Sequence, residues 1–406
     1  MAPPPFPPSG QFLNSIRESA RQLRTKENIS ITPENIQRLL RSPAFLDSYQ
    51  RVSKIHGLAL PLQFSSTLDE LNFLSILSLL NFASGYRVPL HVQTGRGAWD
   101  SIRALLFSLY ITSTGGDEGD LLSAKGLRVI TASKVAEFMN INLHVERPHE
   151  SIPGVVVGEL GGPLYELVTL IVSVLNETGE ILVNGGYSNL GAFVAEALKS
   201  ASSETDFLDA VVEKLVRAFP GFRDMSSVNG LPIYCFKKAL FLIHAITIRF
   251  GTLSPPPFPI PKTDTVPVFS DNVLPSLLIH LGVIDLSGAP SLTRLFPGAG
   301  SPESLEKLLG PAPPAAPKSA SQGPKAPPKE GPIITHDQGY TLRAAAVDAC
   351  ELIVQAANSP EAGHAQPEWL TALRLPDLDM WIWSVAKDRP DYRALERFAE
   401  QNTVYF

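Results

Sequence analysis

Eight histidines are scattered along this sequence, and none falls into HExxH or another metal-ligand spacing; His149-Glu150 runs on into Ser-Ile-Pro. Its two cysteines, Cys235 and Cys350, lack a CxxC pattern and can form at most one bridge. A thiolate zinc site and a disulfide scaffold are therefore both disfavoured, and a reducing compartment fits better. Gly95-Arg-Gly97 and Gly158-Glu-Leu-Gly-Gly162 fail to complete GxGxxG, and GK[ST] and GxSxG are missing altogether. Those glycines read as loops. What remains is acid and base chemistry set in apolar surroundings. Lys237, Lys238 and His244 interrupt the apolar run 234–250, and Ser270-Asp271-Asn272 stands just ahead of Leu274, Leu277, Leu278 and Leu281. An aspartate there reads first as a helix cap, with Pro275 in the first turn supporting that geometry. A lysine in an apolar helix reads equally as a ligand for an anionic or sugar oxygen and as a packed stem whose ammonium reaches water.

The elements that must hold these groups are mostly helical. Residues 12–46 carry helical pattern, with a start at Thr32-Pro33-Glu34-Asn35. Residues 68–82 are apolar on nearly every side, as a buried helix would be. Helices are also expected over 98–110 and 134–139, with a flexible loop over 113–120. Over 163–177 the residues Leu164, Leu167, Val168, Ile171, Val172 and Leu175 fall on one face, with Gly179 near the end and a short strand at 181–183. Asp206 opens a helix that Pro220 stops, 234–250 is a central buried helix, and helical pattern returns over 342–357. The fold class is mainly α: a single large helical domain over 11–406 with few short strands. A loose Pro-rich tail, 1–10, precedes it, and a flexible Pro-rich insert at about 298–333 interrupts it. Eight prolines in the 23 residues 310–332 make that stretch a solvated segment, not core.

At 406 residues, with 44% hydrophobic and 18% charged side chains, the chain can bury a sizeable core. Its net charge of −6 argues against coating nucleic-acid backbone, so no direct nucleic-acid partner is expected. The apolar runs 71–82 and 239–250 fall short of the ~20 residues that span a bilayer. The N-terminus lacks a basic region followed by an apolar one, so it is not read as a secretory signal, and the cytoplasm is the expected compartment.

Several segments in order resemble the queuosine-salvage family, the queuosine 5′-phosphate N-glycosylases. They are Leu71-Asn-Phe to Ser78-Leu-Leu-Asn-Phe82, Leu175-Asn-Glu-Thr-Gly179, Phe219-Pro-Gly-Phe-Arg-Asp224, Cys235-Phe-Lys-Lys-Ala239, Phe269-Ser-Asp-Asn-Val-Leu-Pro275 through His280-Leu-Gly282, Leu342-Arg343, Asp379-Met-Trp-Ile-Trp383 and Tyr405-Phe406. Residues 146–162 and the Pro-rich insert look extra to the family pattern. The resemblance implies a fold similar to the helical DNA glycosylases. It also implies hydrolysis of the bond between ribose and a modified 7-deazaguanine, freeing queuine for tRNA modification, with a small nucleotide as substrate and no metal or other cofactor.

Such a reaction leaves positive charge on the sugar as the base departs. A carboxylate ~4 Å away, at an effective dielectric of about 20, stabilises that charge by roughly 4 kcal/mol, close to a thousandfold in rate. By resemblance Asp271 is this catalytic carboxylate and Phe269 lies against the flat base. Lys237 and Arg343 are candidates for sugar or phosphate oxygens, and His56 matches a family histidine. Asp379 could pair with the cationic amine of queuine, a helix cap being its plain alternative. Asn81 joins the substrate-binding set, although a buried amide also serves local hydrogen bonding. The chain has Ser78, Ala245, Thr341 and Ser384 where the family usually has acidic residues. That departure leaves a second reading open: a catalytically inactive paralogue that binds a ligand or, through the Pro-rich insert, protein partners. Convergence of Asp271, Phe269, Lys237 and Asp379 on one concave pocket would favour the enzyme.

Overall fold

A helix with no polar face must be covered all round, and the Thr67–Leu79 helix is: every residue from Leu71 to Leu79 is buried. Ser66 starts it, its side chain accepting from Asp69 N at 3.1 Å. The Leu190–Ala201 and Lys237–Phe250 helices lie against it. Asn72 ties the first of these in place, accepting from Gly191 N at 3.0 Å and donating to the Leu122 carbonyl at 3.1 Å. This computed structural model describes residues 3–53, 58, 60–115, 119–314, 327–359 and 367–406. Among them the architecture is mainly α, and the sheets are two antiparallel hairpins, His144–Pro148 with Val156–Leu160 and Met225–Val228 with Leu231–Tyr234.

The second long buried helix, His336–Ala357, packs against Phe12–Lys26. It starts six residues ahead of the apolar pattern at Leu342, because Thr335 and Gln338 form a reciprocal capping box that the polar first turn conceals. Asp206 caps Phe207–Ala218 as expected, and Phe219 ends it before Pro220.

Four expectations are corrected. No strand forms at 181–183; the helix Gly162–Asn184 runs straight through Gly179. That glycine serves a close helix crossing, since a Cβ there would lie 2.3 Å from Arg128 N on the Ala124–Val129 helix. Residues 3–10 are not loose. Pro4 and Pro7 are buried, the Pro5 carbonyl accepts from the Tyr234 hydroxyl at 2.8 Å, and Arg217 lies 5.0 Å over the Phe6 ring. Within the expected flexible insert, Ser301 caps a helix, Pro302–Leu309, that buries Leu305, Leu308 and Leu309; residues 315–326 lie outside the described residues. Finally, residues 113–115 of the expected loop belong to the Ala98 helix, which continues to Gly115; residues 116–118 lie outside the described residues.

Among the described residues no helix is long and apolar enough to cross a membrane.

Alanine is the better helix former by ~1 kcal/mol, yet at position 179 its methyl would meet backbone. Gly179→Ala should therefore lower stability by about 1–3 kcal/mol in urea unfolding; a raised midpoint would contradict the crossing.

Candidate active site

Asp224, the last residue of the Phe219-Pro-Gly-Phe-Arg-Asp224 segment, anchors the region. Its Oδ1 accepts from Arg343 Nη1 at 2.9 Å and from the Tyr340 hydroxyl at 3.0 Å. Its Oδ2 accepts from Arg343 Nη2 at 2.5 Å and from the backbone N–H of Lys237 at 3.2 Å. Phe236, in the left-handed region at φ 46°, makes no side-chain cap for the Lys237–Phe250 helix, so Asp224 supplies the missing acceptor from a distance. Arg343 in turn donates Nε to the Ser270 carbonyl at 2.9 Å, and Ser270 Oγ donates back to the Arg343 carbonyl at 3.0 Å. Phe406 covers the guanidinium at 4.5 Å. Arg343 and Asp224 are both fully buried. One ion pair thus fixes the start of the Lys237 helix relative to the Phe269-Ser270-Asp271 turn. The candidate anion ligand is corrected accordingly: Arg343 is a positioning residue whose fork is filled by Asp224, and it does not line the cavity.

What the pair positions is a cavity of about 370 Å³, within the usual range for small-molecule sites. Asp271, Phe269, Lys237, Asp379 and Asn81 all line it. Asp271 Oδ1 accepts from Val273 N at 2.6 Å and Leu274 N at 3.4 Å, opening the Val273–His280 helix. The cap reading and the cavity reading therefore hold together, for no described residue donates to Oδ2. Lys237 does not snorkel. It is 4% exposed, and its Nζ donates to the Asn81 carbonyl at 2.7 Å and to Asn81 Oδ1 at 3.2 Å. Burial pulls its ammonium down to about 8, against the charge of Asp271, which favours the protonated form. Asp379 is not a cap either: it lies in the second turn of Leu375–Asp388 and accepts the Phe269 N–H at 2.6 Å through Oδ2. Burial pushes its carboxyl up to about 8, and Asp271 adds to the rise, while the Phe269 N–H and Lys237 oppose it.

Rings form the apolar wall. Phe241 meets Phe269 edge-on at 6.0 Å and Trp99 at 5.8 Å, and Trp99 meets Trp383 at 6.3 Å. Trp99 Nε1 and Ser84 Oγ are buried without a hydrogen-bond partner among the described residues, and both residues line the cavity. Arg87, Lys387, Arg393 and Arg397 supply a cationic flank. Burial and the neighbouring Arg397 draw Arg87 down to about 10, with Glu330 opposing. Sequence reasoning missed this flank and Trp99, because charged residues on an amphipathic helix look alike whether they face bulk water or a hollow. Trp383 and Phe406 were at least visible within the segments Asp379-Met-Trp-Ile-Trp383 and Tyr405-Phe406.

Chain segments far apart complete the wall. Lys238, fully buried beside Lys237, donates to the Leu79 carbonyl at 2.7 Å and to the Val404 carbonyl at 2.6 Å. Asn402 N donates to the Tyr86 hydroxyl at 3.0 Å, and Phe398 N to Ser276 Oγ at 3.3 Å. The C-terminal strap is thereby laid beside the end of the Thr67–Leu79 helix, and Phe406 reaches the cavity. His56 lies outside the described residues. Ser78, Ala245, Thr341 and Ser384 are buried but none lines the cavity. Among the described residues no group of three or more His, Cys, Asp and Glu could hold a metal ion.

Residues 162–294 match the family described as queuosine salvage protein, a stretch that includes Asp224, Lys237, Phe269 and Asp271. Over 240 residues the chain is 25% identical to a queuosine 5′-phosphate N-glycosylase/hydrolase of Sphaerobacter thermophilus. That match covers 58% of this chain and 64% of the relative, a little under two-thirds of the relative's length. Together the two matches support a divergent member of the queuosine salvage family.

If Arg343 positions and does not bind, Arg343→Ala strands a buried carboxylate and should cost about 3–5 kcal/mol in chemical unfolding. A variant of wild-type stability that loses only ligand affinity would return Arg343 to the binding set.

Proposed function

Taking the chain as a divergent queuosine salvage family member, we propose that this cavity hydrolyses the N-glycosidic bond of queuosine 5′-phosphate or a closely related modified nucleotide, releasing queuine. The observation that carries the reading is the seating of Asp271: one carboxylate oxygen is held by backbone N–H groups, while the other takes no described donor at the wall of an aromatic cavity. A carboxylate fixed in this way needs no reorganisation when positive charge appears on the sugar, which is the condition under which electrostatic stabilisation of a transition state is largest. The ring of Phe269, two residues earlier, offers the flat base a stacking face, backed by Phe241 and Trp99.

The charge of the cavity agrees with a phosphorylated substrate. Five cationic side chains line it against the carboxylates of Asp100, Asp271 and Asp379, and burial keeps Asp379 largely protonated at neutral pH. The surplus suits a 5′-phosphate, with Lys237 near the sugar and the Arg87, Lys387, Arg393 and Arg397 flank reaching the anion. In the reaction the electron pair of the C1′–N bond leaves with the base, Asp271 stabilises the ribosyl cation, and water adds at C1′. A cytoplasmic role in base salvage follows from this reading.

The rival reading, an inactive paralogue, drew on the loss of acidic residues at four family positions. Here Ser78 Oγ and Thr341 Oγ1 bond the Leu74 and Asp337 carbonyls of their own helices, at 2.8 and 2.7 Å. None of the four faces the cavity, so their loss does not strip it of acid.

Purified protein incubated with queuosine 5′-monophosphate should release free queuine, detectable by mass spectrometry. Asp271→Ala should slow release at least about a hundredfold, or about 2.7 kcal/mol; a variant as fast as wild type would refute the assignment. Lys387 is exposed over much of its surface, although its ammonium, 3.3 Å over the Trp383 ring, is drawn down to about 8 by burial. With no buried ion pair to break among the described residues, Lys387→Ala should fold normally. It should weaken nucleotide binding roughly tenfold, about 1.4 kcal/mol, with unphosphorylated queuosine unaffected.

A further inference from the structure

We propose that Asp379 is the general acid of this cavity, giving its carboxyl proton to a ring nitrogen of the departing base while Asp271 steadies the sugar cation. The role rests on the glycosidase reading of the same site and adds a second catalytic residue to it.

Geometry divides the two carboxylates between the two ends of a substrate. Asp379 Oδ2 is bonded to the backbone N–H of Phe269, the residue whose ring would carry the base, and no described residue donates to Oδ1. Asp271 stands two residues further along, where the turn enters the next helix. A nucleotide stacked on Phe269 therefore places its base edge by Asp379 and its sugar by Asp271. The charged and titratable groups around Asp379 come from every neighbouring element: Asp271 from the preceding turn, Lys237 from the Lys237–Phe250 helix, and Cys350 from His336–Ala357. Lys387 lies two turns on along its own helix. Among the described residues, Lys237 is the cation that opposes the rise at Asp379. Burial outweighs it, so the carboxyl keeps its proton up to about pH 8. Two carboxyl groups whose surroundings differ in this way are the arrangement from which acid and nucleophile or electrostatic roles are assigned in glycoside hydrolysis.

The step balances. As the C1′–N bond breaks, its electrons pass to the base, the Asp379 O–H bond supplies the proton, and the base leaves neutral. Water then adds to C1′ and loses its proton to the Asp379 carboxylate, which restores the acid. The products are the free base and ribose 5-phosphate.

Asp379→Asn is the discriminating variant, because its amide oxygen can still accept from Phe269 N while the transferable proton is gone. With queuosine 5′-monophosphate, kcat should fall at least about a hundredfold and KM stay within about threefold. Wild-type kcat should fall as pH rises through about 8. Lys237 titrates in the same range, so the alkaline limb is assigned to Asp379 only by its absence from the Asp379→Asn profile. With 4-nitrophenyl β-ribofuranoside 5-phosphate, whose leaving group departs without a proton, the variant should be slowed far less, by under about tenfold. Equal slowing on both substrates, an unchanged alkaline limb, or a rise in KM with kcat intact would overturn the proton-donor role; the last is the signature of a carboxylate that merely pairs with an amine. Wild-type protein inert toward both substrates would instead remove the glycosidase reading, and this role with it.

Discussion

A charge pair sealed from water, Asp224 with Arg343, is the constraint on which the site depends. Neither member has solvent access, so the desolvation of both ions must be offset by contacts in the interior. Those contacts are unusually complete. The carboxylate accepts four donors, and the guanidinium reaches the Ser270 carbonyl with the donor left over from the fork. Each of these bonds also fixes a piece of backbone. The pair joins the β-hairpin entrance, the start of the Lys237 helix, the long His336–Ala357 helix and the turn that carries Phe269 and Asp271. A hydrophobic replacement of the same volume could fill the space, but it could not set the direction of two helix starts at once.

That dependence explains which parts of the site were legible in the sequence. The turn at Ser270-Asp271-Asn272 was visible because capping residues, a proline and an apolar period coincide there. Lys237 stood out because a cation in an apolar helix is rare. Arg343 was visible too, but its meaning was not, since its partner lies 119 residues away and a lone basic residue carries no sign of what fills its fork. Asp224 was read as part of a motif without a role for the same reason. The helices followed from periodicity. Gly179 misled because a glycine at a helix end and a glycine at a helix crossing look identical in one dimension, and the strands of both hairpins, four or five residues each, were too short to signal themselves.

Burial gives the cavity its chemical character as much as residue identity does. The same wall holds a carboxyl that retains its proton and an ammonium that loses its proton more readily than usual, and both shifts come first from exclusion of water. An aspartate and a lysine in contact with solvent would simply be an ion pair. Here the surrounding rings of Phe241, Phe269, Trp99 and Trp383 keep the medium poor in water, which also strengthens any interaction with charge formed on a bound sugar.

The strap that Lys238 pins between the carbonyls of Leu79 and Val404 has a consequence for biosynthesis. Residues 81 and 406 share one wall, so everything between them must be synthesised before the hollow can close. Until then the apolar helix 67–79 and two lysine ammoniums lack their final covering. A nascent chain in that condition is a natural client for chaperones, and no partly made product can have a closed cavity.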